Sequence, residues 1–258
     1  MTSRRATVSN VVITGASRGI GLALATVYAH RGDTVFACCR TPSNAEALQA
    51  LAATAPVGVL PLDVRDEASV AALASTIGDK PVDTLINNAG VSGGPLEEQT
   101  ATRMDFAAWA DAFDTNTMGP VRVLQALLPS LKRAKNPKVM SVTSQLGALS
   151  LDLALAFGYS ASKAALNKFM RLAASELSRD GIAVGLIHPG WVKTDMGGPG
   201  AKLTPTESAA GIANVIDQLS LENTAASGSG TAAPTTGNAV PVFSVRDDTA
   251  TRAPRSTI

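Results

Sequence analysis

Short apolar runs rich in β-branched residues alternate along the chain with longer stretches rich in alanine and leucine. Runs of this length predict buried strands, and the longer stretches repeat apolar residues at the spacing of one helix face, which predicts helices. The predicted strands cover residues 11–13, 34–39, 57–62, 82–86, 138–142, 182–187 and 240–245. The predicted helices cover residues 20–30, 45–53, 67–77, about 106–131, 160–177 and 207–219.

Strands that alternate with helices predict βαβ units, and therefore a parallel sheet with helices on both faces. Because such crossovers are right-handed, the expected class is α/β, a Rossmann-type doubly wound sheet of about seven strands in the order 3-2-1-4-5-6-7. Two local signals refine this prediction, since Asp66 introduces the third helix and Pro120 kinks or breaks the fourth.

The length of 258 residues fits one large domain, and no shift in composition separates two folded halves. Residues 222–238 are small and polar without a large apolar side chain, which predicts a long flexible loop. We therefore predict a single domain over residues 1–245, followed by a surface tail over residues 246–258.

Charge and composition exclude several classes of function. With 22 basic and 21 acidic residues the net charge is +1, which gives no electrostatic basis for binding nucleic acid or an anionic membrane. No apolar run approaches the ~20 residues of a membrane-spanning helix. Two adjacent cysteines, Cys38 and Cys39, and only two histidines do not supply a metal site, so no metal is expected. The first ten residues lack the apolar region of a secretory signal, so a cytoplasmic location is expected.

A glycine-rich turn, Thr14-Gly15-Ala16-Ser17-Arg18-Gly19-Ile20-Gly21, follows the first predicted strand and opens the first predicted helix. In that context Gly15 suits a tight turn, Gly19 lets the backbone approach a pyrophosphate, and Gly21 lets the helix pack against the sheet. The N–H groups of the helix N-terminus then face the phosphates. The turn predicts a dinucleotide site, and the alternative is a tight turn without a ligand.

The end of the second strand predicts which dinucleotide is bound. NAD-binding forms carry a carboxylate there that bonds the ribose 2′-hydroxyl, whereas this chain has Cys38-Cys39-Arg40. A guanidinium fits a 2′-phosphate well, and Arg18 in the glycine-rich turn is a second candidate cation. We therefore expect NADP(H) rather than NAD(H), and the alternative is that both arginines are ordinary surface residues.

The candidate catalytic group is one of only two tyrosines. Tyr159 begins the run Tyr159-Ser160-Ala161-Ser162-Lys163 at the start of the predicted long helix. Residues four apart share one helix face, so the phenol and the ammonium group should lie side by side. A free phenol titrates near ~10, and the cation is expected to lower the pKa of Tyr159 toward the range of general acid–base chemistry.

With five further motifs in order, the chain closely resembles the short-chain dehydrogenase/reductase family, in its short single-domain branch, over roughly residues 10–211. The further motifs are Leu62-Asp63-Val64, Asn87-Asn88-Ala89-Gly90, Asn116, Val142-Thr143-Ser144-Gln145-Leu146-Gly147 and Pro189-Gly190-Trp191-Val192-Lys193-Thr194. Residues 188–198, with Leu203-Thr204-Pro205 and Glu207-Ser208 downstream, are similar to the subgroup of sniffer-type carbonyl reductases and the C-factor signalling protein.

The resemblance implies four catalytic residues, Asn116, Ser144, Tyr159 and Lys163. Tyr159 would donate a proton to a carbonyl oxygen, and Ser144 would hydrogen-bond the same oxygen. Lys163 would lower the pKa of Tyr159 and hold the nicotinamide ribose, and Asn116 would hold a water that joins Lys163 to solvent. The alternative for Asn116 is a purely structural residue at a helix kink.

The predicted cofactor site combines the glycine-rich turn, Arg40 and further residues implied by the resemblance. Its members are Gly15, Ser17, Arg18, Gly19, Ile20, Gly21, Arg40, Asp63, Val64, Asn88, Ala89, Gly90, Tyr159, Lys163, Pro189, Gly190, Val192 and Thr194. Asp63 and the Val64 backbone would contact adenine, and Asn88 to Gly90 would line the adenine-side ribose. Val192 and Thr194 would hold the nicotinamide carboxamide. The alternative for Asp63 is a cap of the third helix.

The residues between Ser144 and Tyr159 carry a hint about the substrate. Apolar residues recur there at every second position, at Leu149, Leu151, Leu153, Leu155 and Phe157. Either a short hairpin buries this apolar face in the core, or the face is a wall of the substrate pocket. Neither supplies a charged anchor, so an uncharged, mostly apolar aldehyde or ketone is expected.

The leading hypothesis is an NADPH-dependent oxidoreductase of the carbonyl reductase type, which acts on CH–OH donors in the reverse direction. Its single domain would bind the dinucleotide and carry out catalysis, and the family resemblance implies a homodimer or homotetramer. No nucleic acid or membrane partner is expected. The alternative is a non-catalytic, cofactor-binding signalling or regulatory protein with the same fold.

Overall fold

The computed structural model describes residues 8–224 and 242–244. These residues form one parallel sheet in the order β3-β2-β1-β4-β5-β6-β7, which confirms the predicted topology. The strands are β1 (Asn10–Thr14), β2 (Thr34–Cys39), β3 (Val57–Pro61), β4 (Thr84–Asn87), β5 (Lys138–Val142), β6 (Ala183–His188) and β7 (Val242–Ser244). The helices are α1 (Gly19–His30), α2 (Glu46–Ala52), α3 (Glu67–Ile77), α4 (Phe106–Phe113), α5 (Gly119–Arg133), α6 (Phe157–Leu177) and α7 (Pro205–Gln218).

Helices cover both faces of the sheet, as the alternation of elements predicts. One core contains apolar side chains of α1, α2 and α7, and the other contains those of α3, α5 and α6. The central strand β1 serves both cores, because Val11 and Ile13 belong to the first and Val12 to the second. This alternation follows from the two-residue period of a strand, and it leaves the carboxyl ends of the strands free to build a site.

The prediction of one long fourth helix is wrong, because the structure has two helices in this region, α4 and α5. A π-helical turn, Asp114–Met118, separates α4 from α5. Pro120 lies in the first turn of α5, where a proline removes no intrahelical hydrogen bond. The interruption therefore precedes Pro120 instead of lying at it, and the proline suits the restart of the helix.

Two helix starts show how local and distant signals differ. Asp66 caps α3 as predicted, since its carboxylate accepts a hydrogen bond from the Ala68 N–H at 3.0 Å. Helix α6 instead begins at Phe157, three residues before the predicted start at residue 160. The residue before it, Ala156, has a left-handed backbone with φ +53°, and such a start has no local sequence signal.

The predictions for the C-terminal part of the chain fall only partly within the described residues. Strand β7 pairs in parallel with β6 over three residues, within the predicted strand 240–245. Most of the predicted loop 222–238 and the whole tail 246–258 lie outside the described residues, so the domain assignment stays a prediction. Within the described ranges, no helix combines the length and hydropathy needed to cross a membrane. In the same ranges, no group of three His, Cys, Asp or Glu side chains could hold a metal ion.

The turn that follows β5 packs directly on α6 and so relates two of the predicted catalytic motifs. Residues Gln145–Gly147 form a short 3₁₀ turn. A Cβ on Gly147 would lie 2.8 Å from the backbone carbon of Lys163 and 2.9 Å from its Cβ. Only a residue without a side chain allows this approach of the turn to the helix.

We predict that Gly147→Ala lowers the free energy of unfolding by about 1–3 kcal/mol, because the added methyl group has no room against the α6 backbone. Gly58→Ala is the matched control, since its nearest neighbour would be the Val35 carbonyl oxygen at 4.0 Å. Urea unfolding of both variants measures the effect. Equal stability of Gly147→Ala and the wild-type protein would contradict the packing described here.

Candidate active site

A cleft of about 450 Å³ opens at the carboxyl ends of the strands. Its walls come from the turns after successive strands, which is the position expected for a ligand of an open α/β sheet. The lining includes every predicted cofactor-binding residue except Gly190 and Val192. Of the predicted catalytic residues, Tyr159 and Lys163 line it. Ser144 is not part of the lining but directly follows Thr143, which is, and Asn116 is fully buried beside the cleft.

The glycine-rich turn leaves a cradle that side chains would fill. A Cβ on Gly21 would lie 2.2 Å from the Gly15 carbonyl oxygen and 2.6 Å from Asn88 Nδ2. Gly15 has φ +67°, which a residue with a side chain adopts only under strain. The start of α1 therefore packs closely against the end of the sheet, as predicted from Gly21. Because the turn has few side chains, its backbone is exposed to the cleft.

Asn88 holds this turn to the end of β4. Its side-chain amide donates hydrogen bonds to the carbonyl oxygens of Thr14, at 2.9 Å, and Gly15, at 3.1 Å. The Thr14 hydroxyl in turn accepts the N–H groups of Asn88 and Ala89, both at 3.0 Å. Asn88 thus lines the cleft while its amide nitrogen is engaged in positioning the turn.

The N-terminus of α1 faces the cleft with its N–H groups available. Arg18, the residue before the helix, makes no side-chain capping bond, and Gly19 and Ile20 line the cleft. Free N–H groups and the positive end of a helix dipole favour an anion. The Arg18 guanidinium pairs with Asp195 at 2.6 Å, and both side chains are about three-quarters exposed, at 76% and 75%.

The segment after β6 lies across the glycine-rich turn. A Cβ on Gly19 would lie 3.2 Å from Thr194 Cγ2, and the neighbouring Asp195 forms the ion pair with Arg18. Within the segment, the Thr194 hydroxyl accepts the Gly197 N–H at 3.1 Å. The predicted residue Thr194 is therefore next to the glycine-rich turn.

A second arginine, Arg65, occupies the cleft wall beside Asp63. Its guanidinium binds both carboxylate oxygens of Asp63, at 3.1 and 2.9 Å, and also pairs with Asp111 of α4. These hydrogen bonds hold the pKa of Asp63 below its usual range. The cap of α3 is Asp66, so the alternative role considered for Asp63 does not apply. Arg40 also lines the cleft; its charge contributes to lowering the pKa of Asp63, but none of the ion pairs among the described residues includes it.

Tyr159 and Lys163 lie one helical turn apart on α6, as their spacing predicts. Lys163 Nζ is 5.8 Å from the centre of the Tyr159 ring and donates a hydrogen bond to the Val142 carbonyl oxygen at 2.9 Å. Lys163 is 4% exposed, and burial lowers the pKa of its ammonium group to about 8.

The expected lowering of the Tyr159 pKa by Lys163 is not observed. Burial raises the pKa of the phenol, and a hydrogen bond with the Ser144 side chain partly offsets this effect. Burial dominates because Tyr159 is only 9% exposed and because the Lys163 ammonium group is directed to a backbone carbonyl. A raised pKa keeps the phenol protonated at neutral pH, so it can act as a proton donor.

Ser144 is held in place by its own turn and by α6. Its hydroxyl oxygen accepts the Leu146 N–H at 3.2 Å, which leaves the hydroxyl proton available to Tyr159 or a ligand. Asn167 of α6 accepts the Thr143 hydroxyl proton at 2.6 Å and donates to the Gly147 carbonyl oxygen at 3.1 Å. The turn is thus bonded to the helix on both sides of Ser144.

Asn116 lies in the π-helical turn and is fully buried. Its side chain accepts the Val91 N–H at 2.8 Å and donates to the Val91 carbonyl oxygen at 2.8 Å and to Ser162 Oγ at 3.0 Å. A Cβ on Gly90 would lie 3.1 Å from Asn116 Oδ1 and 3.6 Å from Lys163 Nζ. Asn116 therefore lies near Lys163, and its amide joins the loop after β4 to α6; the water-holding role stays a prediction.

The apolar segment before α6 does not form the hairpin that was one of its two interpretations. Residues 149–156 adopt turns and irregular backbone without a strand. Leu149 is 92% exposed and Leu153 is 54% exposed, so this face is not part of the core. None of these apolar residues is part of the cleft lining, so their role as a wall of the substrate pocket stays a prediction.

Several contacts of the site were not predicted from the sequence. Arg65 and Asp111 fix Asp63, and His188 accepts the Gln145 N–H on Nδ1 at 3.2 Å. Gln99 contacts the N–H of Tyr159 from a loop sixty residues away. Arg65 stands two residues after Asp63, which is a signal that could have been used; the other contacts join distant segments.

Comparisons with known proteins show what the chain is similar to. The family model described as short chain dehydrogenase matches residues 9–202. The C-signal protein of Myxococcus xanthus is 42% identical over 153 residues, which are 59% of this chain and 90% of that protein. Two solved structures each have a TM-score of 0.78 and cover 84% of this chain. They are the NADPH-bound carbonyl reductase from chicken fatty liver, 34% identical over 94% of its chain, and carbonyl reductase Sniffer of D. melanogaster, 28% identical over 95% of its chain.

The burial of Lys163 predicts a pH-dependent difference in stability between the wild-type protein and Lys163→Met. Folding lowers the pKa of the ammonium group from 10.5 to about 8. Below pH 8 both the folded and the unfolded wild-type chain carry this charge, and the folded chain bears the cost of burying it. Between these two values the folded chain has lost the proton and the unfolded chain still binds it, so wild-type stability rises with pH.

We expect the wild-type protein to gain on the order of 1–3 kcal/mol relative to Lys163→Met between pH 7 and pH 10.5. Urea unfolding at several pH values measures this difference. Lys168→Met is the matched control, because Lys168 is exposed on the same helix and its replacement should show no such trend. A difference between wild type and Lys163→Met that does not change with pH would refute the charged, buried state of Lys163.

Proposed function

The chain belongs to the short-chain dehydrogenase/reductase family of oxidoreductases, and from this premise we propose that it reduces an aldehyde or ketone to an alcohol with NADPH. The observation that carries the proposal is that Tyr159 and Lys163 lie one helical turn apart in the wall of the cleft that the glycine-rich turn opens, with Ser144 hydrogen-bonded to Tyr159. Each of these groups has a chemical property that carbonyl reduction requires.

The residues of the cleft fit a dinucleotide. The side-chain-free cradle at Gly15 and Gly21 and the uncapped N-terminus of α1 suit a pyrophosphate. Arg40 would bind a 2′-phosphate, because it lines the cleft beside Cys39, at the place where an NAD-binding protein has a carboxylate. Lys163 and Thr194 would bind at the nicotinamide end. NADPH-bound neighbours among the carbonyl reductases support this choice of cofactor.

The protein groups supply the proton and stabilise the developing charge. When bound, NADPH supplies the hydride that the carbonyl carbon accepts. Tyr159 donates the proton to the carbonyl oxygen, and its raised pKa keeps it protonated until that oxygen becomes basic. Ser144, whose oxygen is already bonded to Leu146 N–H, directs its hydroxyl proton to the same oxygen. Lys163, one turn along α6, would bind the hydroxyls of the nicotinamide ribose, and the hydrogen bond from Ser144 is the contact that favours the phenolate.

Further features of the chain bear on the substrate, the location and the assembly. Apolar residues exposed before α6, Leu149 and Leu153, favour an uncharged and mostly apolar carbonyl compound. The two free, adjacent cysteines favour a reducing compartment such as the cytoplasm, and family resemblance favours a homodimer or homotetramer. A non-catalytic signalling role is the competing proposal, and similarity to the C-signal protein supports it. The presence of all four residues of the predicted catalytic set favours catalysis.

We predict that Tyr159→Phe lowers kcat for carbonyl reduction by at least about 10²-fold, because no other tyrosine lines the cleft. The assay follows NADPH oxidation with a panel of aldehydes, ketones and quinones. Tyr28→Phe is the matched control, since the buried Tyr28 hydroxyl has no hydrogen-bond partner and lies in α1 away from the cleft. Equal rates for wild type and Tyr159→Phe would refute the proton-donor role.

We predict that Arg40→Asp lowers the preference for NADPH over NADH, as a ratio of kcat/KM values, by about 10–100-fold, which is the worth of a charge-assisted hydrogen bond. A carboxylate at this position would also repel a 2′-phosphate and could bond a ribose hydroxyl. Arg179→Asp is the control, because Arg179 is exposed and remote from the cleft lining, and it changes the net charge equally. An unchanged ratio in Arg40→Asp would mean that another residue selects the cofactor.

A further inference from the structure

Helix α6, which carries Tyr159 and Lys163, begins without a capping residue of its own. The residue before it, Ala156, is fully buried, has φ +53° and has no side-chain oxygen to accept an N–H. The first helical N–H groups have no intrahelical acceptor and cost free energy when they are buried without one. The first bond within the helix joins the Ser160 N–H to the Ala156 carbonyl oxygen at 2.8 Å.

Gln99 supplies the missing acceptors from another part of the chain. Its backbone carbonyl accepts the Phe157 N–H at 3.3 Å, and its side-chain Oε1 accepts the Tyr159 N–H at 3.0 Å. Gln99 is 5% exposed, so these bonds are shielded from water. One residue therefore performs the function of a cap for two of the three first N–H groups, including that of Tyr159 itself.

The other end of the Gln99 amide binds the loop that follows β4. Its Nε2 donates to the carbonyl oxygen of Ser92 at 2.8 Å, with longer contacts to those of Gly93 and Gly94 at 3.3 and 3.4 Å. This loop directly follows Gly90 and Val91, which line the cleft. The amide thus joins the wall of the cofactor cleft to the first turn of α6.

The neighbourhood of Gly158 shows how closely Gln99 approaches the helix. A Cβ on Gly158 would lie 3.2 Å from Gln99 Oε1, 2.9 Å from Trp109 Cδ1 and 3.0 Å from Met104 Cε. The glycine before Tyr159 therefore leaves space for the three side chains that close over the helix start. Among the described residues, these contacts constrain the backbone on the N-terminal side of Tyr159.

We propose that Gln99 is a positioning residue for proton transfer, which holds the Tyr159 backbone in register with the cofactor-binding loop after β4. This inference rests on the proposed function, because it assumes that Tyr159 is the proton donor. Asn116 connects the same loop to α6 one turn further along, through Val91 and Ser162. Gln99 and Asn116 would then set the position of Tyr159 relative to a ligand in the cleft.

The test compares the wild-type protein with Gln99→Met, whose side chain has a similar volume, no donor and only a weakly accepting thioether sulfur. We expect kcat to fall about 10–100-fold, since a small displacement of a catalytic group has effects of this size. The KM for NADPH should change less than about threefold, because Gln99 does not line the cleft. Hydrogen exchange measured by mass spectrometry should be faster in peptides that contain the first turn of α6.

Two further variants separate positioning from a general loss of stability. Asp66→Ala removes the cap of α3, a helix that contributes no residue to the cleft lining, and should leave kcat and exchange in α6 unchanged. Gln99→Glu, measured at a pH low enough for its buried carboxyl group to be protonated, keeps an acceptor for the Tyr159 N–H and a donor for the Ser92 carbonyl oxygen. This variant should restore slow exchange in the first turn of α6. Failure of this restoration would contradict the capping bond, and it can be measured in folded protein even if Gln99→Met does not fold.

The outcomes distinguish this inference from the function on which it rests. Wild-type kcat and wild-type exchange in Gln99→Met would overturn the role of Gln99 while Tyr159→Phe still tests the proton donor. An equal loss of kcat in Asp66→Ala would also overturn it, because the effect would then be general destabilisation. A wild-type protein that reduces no carbonyl compound, with Gln99→Met showing fast exchange, would refute the proposed function and leave only the capping bond.

Discussion

The burial of the Lys163 ammonium group is the constraint around which this site is built. An isolated charge in a protein interior is costly unless it is hydrogen-bonded, and the one hydrogen bond described for Lys163 Nζ is to the Val142 carbonyl oxygen. The groups around the Lys163 ammonium must therefore be polar and must approach it closely without steric clashes. Gly90 and Gly147 meet this condition, because a side chain on either would press on Lys163 or Asn116.

Neutral amide side chains connect the irregular segments around that charge. Asn88, Gln99, Asn116 and Asn167 each bind backbone groups, and together they tie the turns after β1, β4 and β5 to one another and to α6. An amide offers both donors and an acceptor, so a single side chain can satisfy two segments of backbone. It also adds no second charge beside Lys163, which an aspartate or a lysine in the same place would do.

Local patterns made most of the fold and the cleft predictable, and contacts between distant segments explain what was missed. β-branched runs and the spacing of glycines in the first turn depend on short stretches of chain, so strand order, the cleft and the pairing of Tyr159 with Lys163 could be predicted. The early start of α6 depends on Gln99, sixty residues away in sequence. The raised pKa of Tyr159 depends on burial by the folded chain, which the i to i+4 spacing does not report.

The interruption between α4 and α5 is a second feature that local sequence signals predict only in part. Pro120 is a valid local signal that a helix does not pass through unchanged, but the π-helical turn precedes it at Asp114–Met118. That turn is bonded to α6, since Thr117 donates its hydroxyl proton to the Ser162 carbonyl oxygen at 2.8 Å and Asn116 donates to Ser162 Oγ. The site of the break is therefore decided by where the helix must face Ser162, which is a tertiary requirement.

In the described part of the chain, three arginines line the cleft, and the ion pairs that each makes with carboxylates decide which of them can bind a phosphate. Arg65 is bound by Asp63 and Asp111, so it would have to leave two carboxylates to reach a ligand. The exposed pair of Arg18 with Asp195 is worth only about 0–1 kcal/mol, as is usual for such pairs in water. A phosphate could replace Asp195 at little cost, and Arg40 has no ion-pair partner among the described residues to give up. A chain with a net charge of +1 can thus bind a polyanion, because Arg40 and the weakly paired Arg18 both line the cleft.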